Sequence, residues 1–284
     1  MQKVVLVTGT STGLGIAIAV QAAQAGHIVY ATMRDLAKRG QLDDALRDAG
    51  VTVQLLQLDV QDAGSVAAAV DTVVAQQGRI DVLINNAGMG YARSLEQAEE
   101  ADIQRILDIN YMGVVRCTKA VMPHMRKARA GHVINISSVG GLVGQPFNEI
   151  YCGAKFAVEG LTEALASYIK PSFGINFTAV EPGGIATEFT NTVLAQMAQT
   201  GGMLEDEYLP ILQKYAATRA NRQDADASQT PDQVASVVMQ VMDNPEPPLR
   251  IRTSAWSEAF TKLKTGLDPD GRKLQQMVTA QMLG

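Results

Sequence analysis

Cysteine is nearly absent: Cys117 and Cys152 are the only two in 284 residues. A pair this sparse is no disulfide framework and fits a reducing compartment. Aromatic residues make up 5% of the chain, so Ala, Val, Leu and Ile must fill its core. There is no basic run, and the formal charge is −5 at pH 7. That excludes the basic face a nucleic-acid partner needs to neutralise phosphates. No stretch of about 20 apolar residues occurs, so no membrane span is expected. The chain starts MQKVVLVTG, directly in an apolar strand pattern, without the charged start, apolar stretch and cleavage site of a signal peptide. A soluble cytoplasmic protein is the expectation. His27, His124 and His132 are scattered without metal-ligand spacing, so no metal is expected.

What is there is an alternation. Apolar runs at Lys3–Thr8, Ile28–Met33, Val51–Leu58, Ile80–Asn85, Gly131–Ser138 and Gly174–Val180 read as strands. Between them lie helical spacings such as Val66, Ala69, Val70, Val73 and Val74. Strands apolar at nearly every position are buried on both faces, and alternation with helices makes the sheet parallel. The reading is an α/β, doubly wound, Rossmann-like sheet. No linker or repeat divides the chain, so 1–284 is taken as a single domain. The pattern loosens over about 188–222, and about 253–284 forms a C-terminal extension. Thr230-Pro231-Asp232 predicts a helix start with Thr230 as N-cap, and Leu249–Arg252 a last short strand. The tail from Trp256 reads as helical, interrupted near Pro269-Asp270-Gly271.

The first strand runs through Thr8-Gly9-Thr10-Ser11-Thr12-Gly13-Leu14-Gly15 into a helix at Ile16–Ala25. Glycines permit a tight turn and close backbone approach. A helix N-terminus offers free N–H groups to a pyrophosphate. The spacing is G-x-x-x-G-x-G, and its place after the first strand favours a dinucleotide site. The second strand ends Met33-Arg34-Asp35. An acid there would bind the adenine ribose of NAD, whereas a guanidinium suits the 2′-phosphate of NADP. Arg34 favours NADP(H), with NAD(H) as the alternative, and Asp35 is read as a cap for the next turn.

Tyr151 and Lys155 are four apart in a helical segment, Tyr151–Ile169, and share one face. A nearby ammonium favours the phenolate, giving a residue that can exchange a proton. Ser138 ends an apolar strand, where open parallel sheets bind ligands. Cys152 is read as a small helix residue and Cys117 as helix packing.

Taken with Asp59-Val60, Asn85-Asn86-Ala87-Gly88, Asn110 and Pro182-Gly183-Gly184-Ile185-Ala186-Thr187, the chain resembles the short-chain dehydrogenase/reductase family over about residues 3–190. The resemblance implies hydride transfer between NADP(H) and a carbonyl or secondary alcohol, with Tyr151 as general acid/base. It implies that Ser138 binds the substrate oxygen and that Lys155 lowers the Tyr151 pKa and binds the nicotinamide ribose. Asn110 would hold a relay water. Gly9, Ser11, Thr12, Gly13, Leu14, Gly15, Arg34, Asp59, Val60, Asn86, Ala87 and Gly88 would contact the adenosine and pyrophosphate half of the cofactor. Pro182, Gly183, Ile185 and Thr187 would contact the nicotinamide end. Val29–Asp35 looks like the branch containing 17β-hydroxysteroid and retinol dehydrogenases.

In the family, the region after the nicotinamide loop covers a small-molecule substrate. Here it carries Phe189, Val193, Leu194, Met197, Met203, Leu204, Tyr208, Leu209, Ile211 and Leu212, with Gly201-Gly202 as a hinge. Such an apolar lid suits a medium-sized apolar substrate, although the same residues could simply pack onto the domain. Family members form homodimers or homotetramers through helices corresponding to Asp102–Arg126 and Tyr151–Ile169. An NADP(H)-binding redox sensor without turnover is the alternative. A sensor has no need of Asn110, Ser138, Tyr151 and Lys155 together.

Overall fold

The computed structural model describes residues 1–188, 204–220 and 228–283, with positions 193, 195, 197, 198 and 202. Phe189, Leu194, Gly201, Met203 and Arg222 of the expected lid lie outside the described residues.

Seven parallel strands form the central sheet in the order β3-β2-β1-β4-β5-β6-β9. They are β1 (Val4–Thr8), β2 (Ile28–Met33), β3 (Gln54–Gln57), β4 (Val82–Asn85), β5 (Gly131–Ile136), β6 (Ile175–Glu181) and β9 (Arg250–Arg252). Successive side chains alternate between faces. Val5 and Val7 of β1 therefore join a cluster with Ile18 and Val238, while Val4 and Leu6 join another with Val70 and Val121. Helices α1 (Gly13–Gln24), α2 (Gly40–Ala49) and α8 (Pro231–Asp243) supply the first layer. The second comes from α3 (Ala63–Gln77), α5 (Gly113–Ala128) and α6 (Glu149–Phe173). This is the doubly wound architecture read from the alternation.

Some boundaries differ from the sequence reading. The third strand was expected over Val51–Leu58 but pairs only over Gln54–Gln57, because it is an edge with β2 as its single neighbour. The fifth ends at Ile136, although Ser137 still donates its backbone N–H to Val180 O at 2.8 Å. The helix expected over Asp102–Arg126 is broken. Helix α4 (Glu100–Leu107) passes through a π-helical turn, Asp108–Met112, into α5. Such a turn widens the backbone by one residue and is common at functional sites. Here it contains the buried Asn110.

The Thr230 cap is complete. Its hydroxyl accepts from Gln233 N at 3.2 Å, and Gln233 Oε1 accepts from Thr230 N at 2.8 Å. A second, two-stranded sheet pairs β7 (Gly184–Ile185) with β8 (Ser228–Gln229). Strands of two residues carry no periodicity, so the sequence reading missed them. Helix α7 (Leu209–Ala220) precedes β8, and α9 (Ala255–Thr265) and α10 (Arg272–Leu283) form the tail. The break between them falls at Gly271, where φ is +76° and a side chain would meet Leu249 Cβ at 3.0 Å.

Candidate active site

The chain winds outward from β1 to β3, then crosses to β4 on the other side of β1. That reversal opens a crevice beyond the carboxyl ends of β1 and β4, where open α/β sheets bind ligands. A cleft of about 920 Å³ lies there. Gly9, Ser11, Thr12, Gly13, Leu14, Gly15, Arg34, Asp59, Val60, Asn86, Ala87, Gly88, Ser138, Tyr151, Lys155, Pro182, Gly183, Ile185 and Thr187 all line it. Asn110 is set behind the wall, fully buried.

The turn after β1 needs its glycines. Gly9 has φ +72°, and a Cβ there would lie 2.7 Å from Ala87 Cα. A Cβ on Gly15 would lie 2.1 Å from Gly9 O. Asn86 holds the turn to β4 by donating Nδ2 to Thr8 O at 3.0 Å and Gly9 O at 2.9 Å. The result is a cradle of bare backbone at the N-terminus of α1, which fits a pyrophosphate.

At one end of the cleft, Arg34 is exposed and has no carboxylate partner among the described residues. Asp35 accepts from Ala37 N at 3.0 Å and caps the following turn, as expected, and it lines the cleft beside Arg34 in sequence. Lys38 also lines the cleft, a second cation the sequence reading missed. It ends the short helical turn Leu36–Lys38 that follows Arg34 and Asp35. Asp59 Oδ1 accepts from Gln61 N at 3.0 Å and so shapes its own loop.

The centre of the cleft holds Ser138, Tyr151 and Lys155. Ser138 follows β5 in extended backbone, its Oγ accepting from Gly140 N at 3.0 Å. It is near enough to the Tyr151 hydroxyl to favour the ionised phenol. Lys155 is 6% exposed and donates Nζ to Ile136 O at 2.8 Å. Its ammonium lies 5.8 Å from the Tyr151 ring centroid. Burial brings Lys155 down to about 8, partly offset by Glu159. Burial pushes the Tyr151 phenol up to about 12, with Ser138 opposing. The direction is the reverse of that expected from the neighbouring ammonium, because desolvation is the largest influence and exceeds the opposing effect of Ser138. Tyr151 therefore keeps its proton at neutral pH.

Asn110 grips the loop after β4: Oδ1 accepts from Met89 N at 2.8 Å and Nδ2 donates to Met89 O at 2.7 Å. A side chain on Gly88 would come within 3.1 Å of Asn110 Oδ1 and 3.8 Å of Lys155 Nζ, so the two groups approach each other across that glycine.

At the other end, Pro182–Thr187 passes over the glycine turn, and a Cβ on Gly13 would lie 3.0 Å from Thr187 Cγ2. Phe147, Val193, Leu212, Tyr215 and Trp256 wall this end. Trp256 was missed. It comes from the tail, stacks on Phe260 at 4.8 Å, and packs so close to Gly183 that a Cβ there would lie 3.0 Å from the indole. Its being the only tryptophan was the one available signal. Arg93, 6% exposed, donates to Gly202 O at 2.7 Å and Met197 O at 3.3 Å, tying the expected lid to the loop after β4. Among the described residues no cluster of His, Cys, Asp or Glu could hold a metal ion, and no helix is long and apolar enough to cross a membrane.

The chain is similar to known proteins over almost its whole length. Retinol dehydrogenase 8 of Bos taurus is 39% identical over 282 residues, covering 95% of this chain and 86% of that one. The 17-beta-hydroxysteroid dehydrogenase type 1 of Homo sapiens is 36% identical over 289 residues, covering 100% and 87%. The crystal structure of a short-chain dehydrogenase from Streptomyces avermitilis superposes with a TM-score of 0.77 at 30% identity, covering 99% of this chain and 98% of that one. The sequence profile described as short chain dehydrogenase matches residues 3–198. The chain therefore belongs to the short-chain dehydrogenase family of oxidoreductases, which act on alcohols or carbonyls with a nicotinamide dinucleotide.

Proposed function

We propose that the protein is an NADP(H)-dependent reductase or dehydrogenase that interconverts a carbonyl and a secondary alcohol on a medium-sized apolar substrate. The observation that carries this reading is the convergence of Ser138, Tyr151 and Lys155 on one cleft, with the Lys155 ammonium 5.8 Å from the Tyr151 ring centroid. The bare cradle of Gly9, Gly13 and Gly15 fits the pyrophosphate, since the turn that forms it closes too tightly for a Cβ at Gly15, 2.1 Å from Gly9 O. When bound, the dinucleotide supplies or accepts the hydride.

The chain's own residues do the rest. Tyr151, protonated at neutral pH, gives its proton to the substrate oxygen in reduction and takes it back in oxidation. Ser138 donates to the same oxygen as charge develops there. Lys155 holds the ribose and keeps a positive charge beside the phenol. Asn110 keeps the Gly88–Met89 loop against Lys155. Arg34, with Lys38 on the same cleft, binds the 2′-phosphate and sets the preference for NADP(H) over NAD(H). The apolar end of the cleft excludes water from the reacting carbon. Residues 1–284 act as one domain. Copies associate through the faces of α4–α5 and α6, which expose Leu107, Met112, Phe156 and Tyr168.

The test is the initial rate of NADPH oxidation, with NADH in parallel, against steroid ketones, retinal, aromatic diketones and small aldehydes. Turnover preferring NADPH is expected with at least one class. Tyr151→Phe should lose turnover at least 100-fold while binding NADPH within about twofold. Undiminished turnover in that variant refutes the assignment. Tight NADPH binding without turnover across the panel would favour the sensor reading.

A further inference from the structure

The walls around the substrate end of the cleft are mainly apolar, and a polar side chain among them is either committed to the protein or available to a ligand. Asn148 is committed: its Nδ2 donates to Pro146 O at 2.9 Å and to Tyr215 Oη at 3.2 Å. Gln145 is available. It lines the cleft, half-buried, and its side-chain amide has no hydrogen-bond partner among the described residues.

That amide stands beside the reacting centre. Gly140 follows Ser138 in the turn after β5. A side chain on Gly140 would meet Ser138 Oγ at 3.3 Å, Gln145 Nε2 at 3.4 Å and Cys152 Sγ at 3.4 Å. The Ser138 hydroxyl and the Gln145 amide therefore flank one point and stand within two contact distances of each other. The backbone that carries Gln145 is fixed. Asn148 N donates to Gln145 O at 3.2 Å. Phe147, between them, has φ +59°, a left-handed backbone that a bulky residue keeps only where its surroundings hold it. Arg93 N donates to Phe147 O at 3.0 Å, Phe147 N donates to Glu149 Oε1 at 3.2 Å, and the buried Phe147 ring packs on Tyr215 at 6.0 Å.

An amide both donates and accepts, so it can bond a keto oxygen or a hydroxyl equally. With the reacting oxygen on Ser138, an oxygen on the adjacent carbon comes within reach of Gln145. A ligand that covers the amide without offering such an oxygen strips its water and leaves it unpaired. A site of this kind discriminates strongly against the analogue that lacks the bonding group. We propose that Gln145 is a specificity-determining residue whose amide bonds a second oxygen next to the reacting carbonyl. The substrate class is then apolar 1,2-dicarbonyls and α-hydroxy ketones. The proposal rests on the reading of Ser138 and Tyr151 as the carbonyl site.

The test uses benzil, benzoin and deoxybenzoin. All three carry two phenyl groups on a two-carbon chain, and beside the carbonyl they have a keto oxygen, a hydroxyl and no oxygen. Gln145→Met keeps the length of the side chain and removes the amide. It should lower kcat/KM at least tenfold for benzil and benzoin and leave deoxybenzoin unchanged or improved. Comparing each ketone with itself in the two proteins cancels the greater intrinsic reactivity of benzil. Gln145→Glu, whose carboxylate only accepts, should lose benzil and retain benzoin, and it carries the test should Gln145→Met fail to fold. Equal losses for all three ketones would put the amide on the reacting oxygen itself and overturn the proposal, as would no change for any. Binding of the same ketones to the enzyme–NADPH complex, read by quenching of NADPH fluorescence, gives the discrimination without turnover. Turnover of other ketones with none of these three bound overturns the proposal and leaves the reductase reading standing. Binding that loses benzil and benzoin in Gln145→Met, in an enzyme that turns over no ketone, fails the reductase reading alone.

Discussion

Holding Lys155 inside the protein destabilises the fold at neutral pH, and the size of that effect can be worked out. Lys155 is 6% exposed, and burial lowers it from 10.5 to about 8. At 1.36 kcal/mol per unit, the charged form costs about 3 kcal/mol relative to the unfolded chain. The sign follows from proton counting. Between the folded value near 8 and the unfolded value of 10.5, the unfolded chain binds more protons, so stability rises with pH across that window. Below it the cost is fully present, and above it the cost is gone. Lys155→Met removes the titration. It also removes the donor to Ile136 O, a pH-independent loss of about 1–3 kcal/mol. The slope therefore tests the reasoning, and the intercept does not. At about 2 °C per kcal/mol for a chain of this size, the wild type should gain about 6 °C in Tm on the variant between about pH 7 and pH 10. Thermal melts followed by circular dichroism at several pH values measure it. A Tm difference that stays constant across that range would refute the buried-ammonium account.

Gly15→Ala places a Cβ 2.1 Å from Gly9 O and 2.7 Å from Asn86 Nδ2, both fixed to β4. It should cost about 1–3 kcal/mol in thermal unfolding and weaken dinucleotide binding, read by NADPH fluorescence, at least tenfold. Wild-type binding would mean that the turn is no cradle. Arg34→Ala should weaken NADPH about tenfold, the low end for an exposed charge-assisted bond, with NADH changed less than about twofold. Equal losses for the two cofactors would remove Arg34 from the 2′-phosphate. Thr230→Ala breaks the capping box of α8, whose Val234 and Val238 are core residues. It should lower stability by about 1 kcal/mol, and an unchanged denaturation midpoint would show that the cap contributes nothing.

The sequence by itself determined whatever rests on local geometry. Apolar runs alternating with helical spacings gave the doubly wound sheet, because a strand buried on both faces must be apolar at successive positions. The glycine turn was legible because Gly9 needs a positive φ and Gly15 a bare backbone. Tyr151 and Lys155 were legible because four residues make one helical turn, and Thr230-Pro231 because a cap is a local hydrogen bond. Tertiary structure decided the contacts between segments far apart in the chain. The order of strands puts β9 beside β6, and only that brings Arg252 to Glu181, 71 residues away. The tail's return brings Trp256 against Gly183. The π turn that places Asn110 behind Gly88 left no mark in the helical periodicity. Burial, which no local pattern measures, set the protonation of the site. It lowered Lys155 and raised Tyr151 against the direction expected from its neighbour. Spacing along a chain fixes which side chains share a face, whereas dielectric surroundings depend on everything packed around that face.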